Sequence, residues 1–406
     1  MVKEEYQMED QQTYSVAIVG AGPAGLFAAS EMAKKGIHVT LFNRDIKPGG
    51  LAEYGVYPQK YRLREGFRTQ FEHILESNLI DYYGNVWVHQ DGDLTLEDIR
   101  DMGFHAILVT VGAQGTKWLG LPGEKLKGVY HAKELVYHYN KLPPYSQEKF
   151  LIGKKVAIIG VGNVMMDIAR YVVTEVKADE VIAIARRGPG EVKFDKGELD
   201  AVARNIDLVA LKAEIERARP LVGSLSQDIE KPLTLIEKVL PEASWSGSTT
   251  HFILRFLLSP VRILGDQAGR VCGIELEENR LEEEDGEIRA QPTGNCRIVD
   301  VDTVIFAIGD RVDDGLGLPV EGNLFAKNPN PRFPMENNSY EVLDPETCKA
   351  IEDVFVAGWA RRASTGLVGI TRRDGINGAR ALMSYLDTLT ALPVFDAKKV
   401  KQRLAL

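Results

Sequence analysis

Three glycines that follow an apolar run give the first pattern with chemical meaning. Gly20, Gly22 and Gly25 come directly after the run VAIV (16–19), with the spacing G-x-G-x-x-G, and an alanine-rich stretch follows them. In a strand–turn–helix unit this spacing permits a tight turn, a close approach of the backbone to a pyrophosphate, and close packing of the helix on the strand. The free N–H groups of the helix would face the phosphates. The pattern therefore predicts a nucleotide-binding loop.

A second unit of the same kind begins in the middle of the chain. The segment VAIIGVGNVMMDIARYVV (156–173) places Gly160 and Gly162 after an apolar run. Met165 stands at the third position, where glycine or alanine allows the helix to pack closely on the strand. A chain that restarts the same unit is expected to hold a second nucleotide-binding domain.

Two arginines end the next strand of this second unit. Arg186 and Arg187 close the segment EVIAIARRG (180–188), where an acidic residue would bind the ribose of NAD. Two guanidinium groups at this position fit a 2′-phosphate and favour NADP(H). The alternative is a surface pair engaged in a loop salt bridge.

The corresponding position of the first unit carries no charge. Asn43 stands there, in the segment LFNRD, and Asp45 is close enough in sequence to replace it. An amide can still donate to or accept from a ribose hydroxyl.

Apolar segments that run into glycine recur along the chain and indicate the fold. HAILVTVGA (105–113) contains Gly112, and VDVDTVIFAIGDR (299–311) and DVFVAGW (353–359) share the pattern. In a doubly wound sheet such strand ends line the ligand crevice. We therefore predict an α/β fold with two doubly wound Rossmann-like domains. The expected limits are a first domain over 1–115 and 313–406, with the second, over 116–312, inserted into it.

The remaining segments are less regular. A helix is predicted over 64–78 and helices with loops over 210–246, whereas HFILRFLLSPVRILG and VCGIELEEN (251–265 and 271–279) are interpreted as strands of a meander. The acidic run ELEENRLEEEDGEIR (275–289) is predicted to be a solvated hairpin tip, with a partner surface as the alternative.

Composition narrows the class of partner and compartment. The formal net charge of −9 argues against nucleic acid as the main partner, and no apolar run reaches the length of a membrane span. The polar, acidic N-terminal segment and the three widely spaced cysteines favour the cytoplasm. We expect Cys272, Cys296 and Cys348 to be buried, and the sequence contains no C-x-x-C pair and no cysteine set for an iron–sulfur cluster. No metal site is predicted.

Taken together, these motifs resemble the adrenodoxin-reductase type of ferredoxin–NADP reductase, in the wider group of flavoproteins that includes the glutamate synthase small subunit. The resemblance extends through nearly the whole chain. It is carried by VGAGPAG (19–25), YGV (54–56), YGNVWV (83–88), DLTLEDI (93–99), LPGEKLKGVYHAKELVYHYNKLP (121–143), GVGNVMMDIAR (160–170), ARRGPGEVKFDKGEL (185–199), LRFLLSP (254–260), PTG (292–294) and VAGWARRASTGLVGI (356–370).

The resemblance implies two cofactors and the residues that hold them. For FAD it implies the first glycine loop with Ala24, together with Asn43, Leu51, Val88, Trp359, Gly366, Leu367 and Val368. For NADP(H) it implies Val161, Gly162, Asn163, Val164, Arg186, Arg187 and Glu198. No catalytic acid or base is assigned. Departures from the family include Asn43 in place of a glutamate, Lys60 near the place of a histidine, and a less basic helical surface over 212–231.

The implied activity is electron transfer between NADPH and an external carrier. A hydride would pass from NADPH to flavin N5, and the electrons would leave singly to ferredoxin or a similar small acidic protein. Basic residues near 60–68 and 361–373 are candidates for docking it. The alternatives are the flavoprotein subunit of a larger iron–sulfur complex of the glutamate synthase type, and a flavin-binding assembly protein without turnover.

Overall fold

The computed structural model describes residues 14–194, 196–223, 225–362, 368–390 and 394–404. These residues form two compact units. Unit 1 takes the described residues up to Thr116 and from Asp310 onward, and unit 2 is Lys117–Gly309. The sequence predicted that the second nucleotide-binding domain extends over 116–312. The assignment of one nucleotide to each domain stays a prediction.

Unit 1 begins with alternating strands and helices. They are β1 (Ser15–Val19), α1 (Pro23–Ala33), β2 (His38–Asn43), α2 (Leu51–Tyr54), α3 (Tyr61–Leu75), β3 (Ile80–Gly84), α4 (Leu96–Asp101), β4 (Ala106–Val109) and β5 (Gly115–Thr116). The predicted helix over 64–78 is α3, and it begins and ends three residues earlier than predicted.

Unit 2 follows without interruption. Its elements are β6 (Val129–His131), α5 (Ala132–Tyr139), β7 (Lys155–Ile159), α6 (Asn163–Tyr171), β8 (Glu180–Ile184), α7 (Lys196–Leu199), α8 (Leu208–Val222), α9 (Lys231–Val239), β9 (His251–Arg255), β10 (Leu258–Gly265), β11 (Val271–Glu284), β12 (Glu287–Val299) and β13 (Thr303–Phe306).

The chain then returns to unit 1. The last elements are β14 (Asp310–Arg311), β15 (Val320–Glu321), β16 (Leu324–Phe325), β17 (Glu341–Asp344), β18 (Lys349–Val356), α10 (Val368–Leu386) and α11 (Ala397–Arg403). Strands β5 and β14 pair antiparallel, with Thr116 opposite Asp310, so the chain leaves and re-enters unit 1 side by side.

Unit 1 is built on a six-stranded sheet with the order β17-β18-β4-β1-β2-β3. All of its strands are parallel except the edge strand β17. The central strand β1 is buried along its whole length, and its alternate residues enter two apolar clusters on opposite faces of the sheet. Burial on both faces explains why the sequence shows a continuous apolar run there instead of an alternating one.

Unit 2 has a five-stranded parallel sheet with the order β6-β13-β7-β8-β9. Strands β10, β11 and β12 form a separate antiparallel sheet. The predicted α/β fold with parallel doubly wound sheets is therefore confirmed. In both units the carboxyl ends of neighbouring parallel strands meet at one edge, where nucleotides bind in such folds.

One strand prediction was wrong. Residues 251–255 were assigned to the meander, but they form β9 and pair with β8 in the parallel sheet. Leu257, with φ +54°, lies between β9 and β10, where the chain passes from the parallel sheet to the antiparallel one. A leucine rarely adopts this conformation, so the sequence gives little sign of the break.

The acidic run forms the predicted hairpin. Strands β11 and β12 are joined by Asp285 and Gly286, both with positive φ, as the two-residue turn requires. No helix among the described residues has the length and apolar character needed to cross a membrane.

Candidate nucleotide-binding sites

The first glycine loop joins β1 to α1 in a conformation that its sequence dictates. The N–H of Gly20 donates to the carbonyl of Phe42 at 2.8 Å, and Gly20 has φ +104°. A Cβ at Gly25 would overlap the carbonyl oxygen of Gly20, because helix and strand approach closely there. A Cβ at Gly22 would meet nothing within 4 Å. The second glycine therefore faces open space, as a close-lying phosphate requires.

The N-terminus of α1 has no side-chain cap. Gly22 is its N-cap residue, Pro23 occupies the first turn, and no acidic residue lies in that turn. The free N–H groups and the helix dipole favour an anion at this point.

A second pair of glycines, which was not among the predicted site residues, lies against this loop. The N–H of Gly49 donates to the carbonyl of Ala21 at 2.7 Å, and a Cβ at Gly50 would lie 3.2 Å from Cα of Gly22. Helix α2 starts directly after them with Leu51, which is half-buried. Both residues have positive φ. The adjacent glycines in the sequence were the signal that could have indicated this contact with the loop.

Asn43 is a structural residue of the loop. Its Oδ1 accepts from the N–H of Ala21 at 3.0 Å, and its Nδ2 donates to the carbonyl of Asp45 at 2.7 Å and lies 3.1 Å from the hydroxyl of Tyr82. The side chain is buried, so its hydrogen-bonding groups are directed inward. Burial raises the pKa of Tyr82 to about 12, although the hydrogen bond from Asn43 acts in the opposite direction.

The other FAD candidates of the early segment lie in different surroundings. Gly112 follows β4 with φ +71° and marks the strand end. Val88 is buried in the apolar cluster on one face of the sheet. Arg44 and Gln114 connect the segments after β2 and β4, because Nη1 of Arg44 donates to Oε1 of Gln114 at 3.0 Å.

Trp359 lies in a short helical turn, Gly358–Ala360, after β18. Its Nε1 is buried and has no hydrogen-bond partner among residues 14–194, 196–223, 225–362, 368–390 and 394–404 that the structure describes. A buried donor without a partner is costly and is suited to a ligand acceptor. Gly358 has φ +70°, and a Cβ there would lie 2.8 Å from Cβ of Ala24.

A buried polar network supports this turn, and the sequence did not reveal it. The carboxylate of Asp374 accepts from the N–H of Gly358 at 2.6 Å and forms an ion pair with Arg361. The hydroxyl of Tyr340 donates to Asp374 at 3.2 Å, and the guanidinium of Arg361 lies 4.5 Å from the Tyr340 ring centroid. Burial, then the nearby Asp374 charge, raises the pKa of Tyr340 to about 12.

Helix α10 carries the end of the predicted FAD segment. Gly366 and Leu367 lie outside the described residues, whereas Val368 begins α10 and packs against the apolar cluster around α1. A Cβ at Gly375 would overlap the carbonyl of Ala24, so α10 packs directly on the loop helix α1.

The glycine loop of unit 2 repeats this geometry. Gly160 has φ +127° and its N–H donates to the carbonyl of Ile184 at 2.9 Å, while a Cβ at Gly162 would meet nothing within 4 Å. Helix α6 begins at Asn163 without a side-chain cap at Gly162, and Val164 is exposed beside it. The carbonyl of Val161 accepts from the N–H of Lys193 at 3.2 Å.

The two arginines that follow β8 are both exposed, and they differ in their contacts. Nη1 of Arg187 lies 2.6 Å from Oε2 of Glu191. The Arg186 side chain has no hydrogen bond or ion pair with the described part of the chain. Glu198 lies half-buried in the short helix α7. The structure thus brings Arg186 and Arg187 to the edge of the sheet that also carries the Gly160–Gly162 loop.

Several expectations about charged and reactive residues need correction. Arg361 is buried with Asp374 and Arg373 pairs with Glu336, so the basic group near 361–373 leaves Arg362 and Arg372 for a partner. Arg68 forms a bidentate pair with Glu53, which raises its pKa. Cys272, Cys296 and Cys348 are exposed, contrary to the expected burial.

The residues of both loops fit a dinucleotide. Each loop offers an uncapped helix N-terminus and a glycine whose Cβ position is open. Unit 1 adds Nε1 of Trp359 and unit 2 adds the guanidinium of Arg186, neither of which has a partner within the described parts of the chain. Such an arrangement binds pyrophosphate through backbone N–H groups and reads the rest of the nucleotide with side chains.

Comparison with known proteins supports this interpretation. A family model described as pyridine nucleotide-disulphide oxidoreductase matches residues 14–196. The mitochondrial NADPH:adrenodoxin oxidoreductase of Salvelinus fontinalis is 27% identical over 406 residues, covering 91% of this chain and 77% of that protein. The NADPH-ferredoxin reductase FprA of Mycobacterium leprae is 26% identical over 410 residues, covering 93% of this chain and 85% of that protein.

The solved structures agree with the sequence relatives. FprA from Mycobacterium tuberculosis in complex with NADPH matches with a TM-score of 0.78 and 25% identity, over 97% of this chain and 90% of that chain. These matches confirm the predicted family resemblance and the two-domain α/β fold.

Proposed function

We propose that this chain, which resembles the adrenodoxin-reductase type of NADPH reductase along nearly its whole length, transfers electrons between NADPH and a small iron–sulfur protein with FAD as its cofactor. The observation that carries the proposal is the presence of two open glycine loops in one chain, each at the carboxyl edge of its own parallel sheet. A protein that binds a flavin without turnover has no need of the second loop.

FAD is assigned to unit 1. Gly20, Gly22, Ala24 and Gly25 would hold the pyrophosphate, and Trp359 with the segment around 366–368 would cover the flavin end. Asn43 contributes by fixing the loop, since its side chain binds the N–H of Ala21. The uncapped N-terminus of α1 and the buried donor of Trp359 support this assignment.

NADP(H) is assigned to unit 2. Val161, Gly162, Asn163 and Val164 would bind the pyrophosphate at the N-terminus of α6. Arg186 and Arg187 would bind the 2′-phosphate, and Glu198 would lie in the same coenzyme site. Two exposed guanidinium groups at the end of β8 support the preference for NADP(H) over NAD(H).

FAD, when bound, accepts two electrons from NADPH and releases them singly, as a one-electron carrier requires. The chain itself supplies binding and orientation. Its three cysteines do not form a C-x-x-C pair, so the sequence lacks the dithiol that an internal disulfide relay would use. The electron acceptor is therefore external.

The acceptor is proposed to be ferredoxin or a similarly acidic small carrier. On α8 the cations are already paired, since Arg219 binds Glu216 and Glu230 and Lys212 lies 3.8 Å from Glu237. Exposed basic residues that could meet an acidic carrier remain on unit 1, at Arg62 on α3 and at Arg372 on α10. A reducing compartment, the cytoplasm, fits three exposed and unpaired cysteines.

An anaerobic titration tests this function. The FAD-loaded protein should lose its visible flavin absorbance on addition of NADPH and should then reduce a two-iron ferredoxin with turnover. Protein that stays colourless after FAD is supplied would contradict the cofactor. Flavin reduction without transfer to ferredoxin, together with copurification of a second polypeptide, would favour a subunit of a larger iron–sulfur complex.

A further inference from the structure

Arg186 and Arg187 are not equivalent in their surroundings. The backbone carbonyl of Arg186 accepts from Nδ2 of Asn279 at 3.2 Å, which fixes its backbone while its guanidinium is free among the described residues. Arg187 is instead committed to Glu191, with 2.6 Å between Nη1 and Oε2. The side chains of this pair are 47% and 20% exposed.

Glu191 is held firmly in place. Its Oε1 accepts from Nε2 of Gln227 at 3.1 Å, and its N–H donates to the carbonyl of Gly188 at 3.1 Å. Lys231 binds the same turn through the carbonyls of Gly190 and Val192. The carboxylate is thus fixed beside Arg187 and offsets the positive charge of its guanidinium.

We propose that Glu191 is a specificity-determining residue for the coenzyme. By neutralising Arg187 it lowers the affinity for the 2′-phosphate, so Arg186 supplies most of the discrimination between NADP(H) and NAD(H). This inference rests on the proposed function, in which unit 2 binds NADP(H).

Two opposing effects of Glu191 decide whether it raises or lowers the affinity for NADP(H). The carboxylate orients Arg187, but an exposed ion pair four residues apart holds a side chain weakly. The carboxylate also repels a phosphate bound by the same guanidinium, and this repulsion is multiplied because a 2′-phosphate carries more than one negative charge. The repulsion outweighs the orientation, so removal of the charge strengthens NADP binding.

Calorimetric titration of the FAD-loaded protein tests the inference without relying on turnover. The Glu191→Gln variant keeps the shape and one acceptor oxygen, removes the charge, and gives up one of the two hydrogen bonds that Arg187 and Gln227 donate to the carboxylate. Its Kd for NADP⁺ and for 2′,5′-ADP should fall about threefold or more, and the gain should shrink at high salt. The Kd values for NAD⁺ and 5′-AMP should stay nearly constant. Glu216→Gln, which loses an exposed ion pair with Arg219 on the same unit, is the matched control.

The outcomes distinguish an error in the role given to Glu191 from an error in the proposed NADP site. One outcome is that Arg186→Ala weakens the binding of NADP⁺ but not of NAD⁺, while Glu191→Gln leaves the affinity for NADP⁺ unchanged or lower. In that case the role given to Glu191 is wrong and the NADP site is supported. If Arg186→Ala and Arg187→Ala both leave NADP⁺ affinity unchanged, the 2′-phosphate site itself is wrong.

Discussion

The carboxylate of Asp374 accepts a hydrogen bond from the backbone N–H of Gly358, with 2.6 Å between Oδ2 and N. It also pairs with the buried guanidinium of Arg361. One acidic residue on α10 therefore fixes the turn that carries Trp359 and balances a buried cation. The turn in turn contacts α1, because Gly358 and Ala24 leave no room for a further carbon between them.

Replacing Asp374 by asparagine should destabilise unit 1 strongly. The change leaves Arg361 buried without its counter-charge, which costs about 3–5 kcal/mol in free energy of unfolding. Urea unfolding followed by circular dichroism measures this. The exposed pair of Arg373 and Glu336 offers a control, since Glu336→Gln should change the free energy of unfolding far less than Asp374→Asn does. Equal costs at the two sites would contradict the importance given to burial.

Replacing Gly22 by alanine should remove FAD binding and leave the fold intact. Gly22 has φ −75°, and its added Cβ would contact no protein atom within 4 Å, so stability should change by less than about 0.5 kcal/mol. The methyl group would, however, occupy the place of the pyrophosphate. Retained FAD, measured by absorbance after gel filtration, would show that the dinucleotide binds elsewhere.

Two other glycines, Gly25 and Gly66, supply controls, because alanine should lower the free energy of unfolding at one and raise it at the other. Gly25→Ala places a Cβ against the carbonyl of Gly20 and should lower the free energy of unfolding by about 1–3 kcal/mol even without FAD. Gly66→Ala lies inside α3 with nothing within 4 Å of the new Cβ. It should raise stability by about 0.5–1 kcal/mol.

Replacing Arg186 by alanine should raise the KM for NADPH roughly ten- to a hundredfold and spare NADH. The expected loss of about 1.5–3 kcal/mol is that of a charge-assisted hydrogen bond. Arg187→Ala should cause a smaller loss, because its guanidinium already pairs with Glu191, whereas Arg186 has no competing partner in the described chain. Steady-state kinetics with both coenzymes measure the change, and equal losses with NADPH and NADH would count against both assignments.

Tyr82 should make stability depend on pH in the alkaline range. Its pKa is raised from the ordinary 10.0 to about 12 by burial, so the folded state favours the neutral hydroxyl. The stabilisation is complete below pH 10 and is lost as the pH rises towards 12, because the unfolded chain ionises first. Urea midpoints between these limits should fall less steeply in Tyr82→Phe. That variant should also be about 1 kcal/mol less stable near neutrality, since it loses hydrogen bonds to Asn43 and Ile46.

Turnover with an acidic carrier should depend on salt. Exposed charges are screened above about 0.1 M salt, so ferredoxin reduction should fall steeply there while reduction of a small dye barely changes. Arg372→Ala should reduce the salt dependence, since this exposed cation on α10 forms no ion pair with the described residues; its guanidinium lies over the Phe27 ring, 4.6 Å from the centroid. A flat salt profile would indicate an obligate complex or a different acceptor.

The glycine loops and the parallel sheets could be predicted because each glycine has a local steric cause. Gly25 cannot carry a side chain, as the carbonyl of Gly20 lies against it. Met165, at the equivalent position of unit 2, is fully buried, so the backbone there must leave space that unit 1 does not have. The sequence pattern indicated this difference but not how the chain accommodates it.

Other features depend on long-range contacts that a sequence pattern does not show. The inward-facing bonds of Asn43 require Tyr82, and the buried pair of Arg361 and Asp374 requires the packing of α10 on the sheet. The pairing of Arg187 with Glu191 was an open alternative from the sequence, and it exists beside a free Arg186. Cys272 is exposed at an irregularity of β11, where Leu264 pairs with Gly273 and Gly265 with Val271, and no sequence pattern reveals this register shift.

The two-residue ribbon of β5 and β14 has a consequence for how such a chain can be rearranged. Thr116 and Asp310 are direct neighbours across that ribbon, and paired residues of antiparallel strands lie about 5 Å apart. The two chain connections to Lys117–Gly309 therefore leave from neighbouring residues, and removal of this segment would cut no strand of the six-stranded sheet. A short glycine–serine linker from 116 to 310 should yield a smaller protein that consists of unit 1 and binds FAD. A different domain inserted between the same two residues should then supply electrons from another donor.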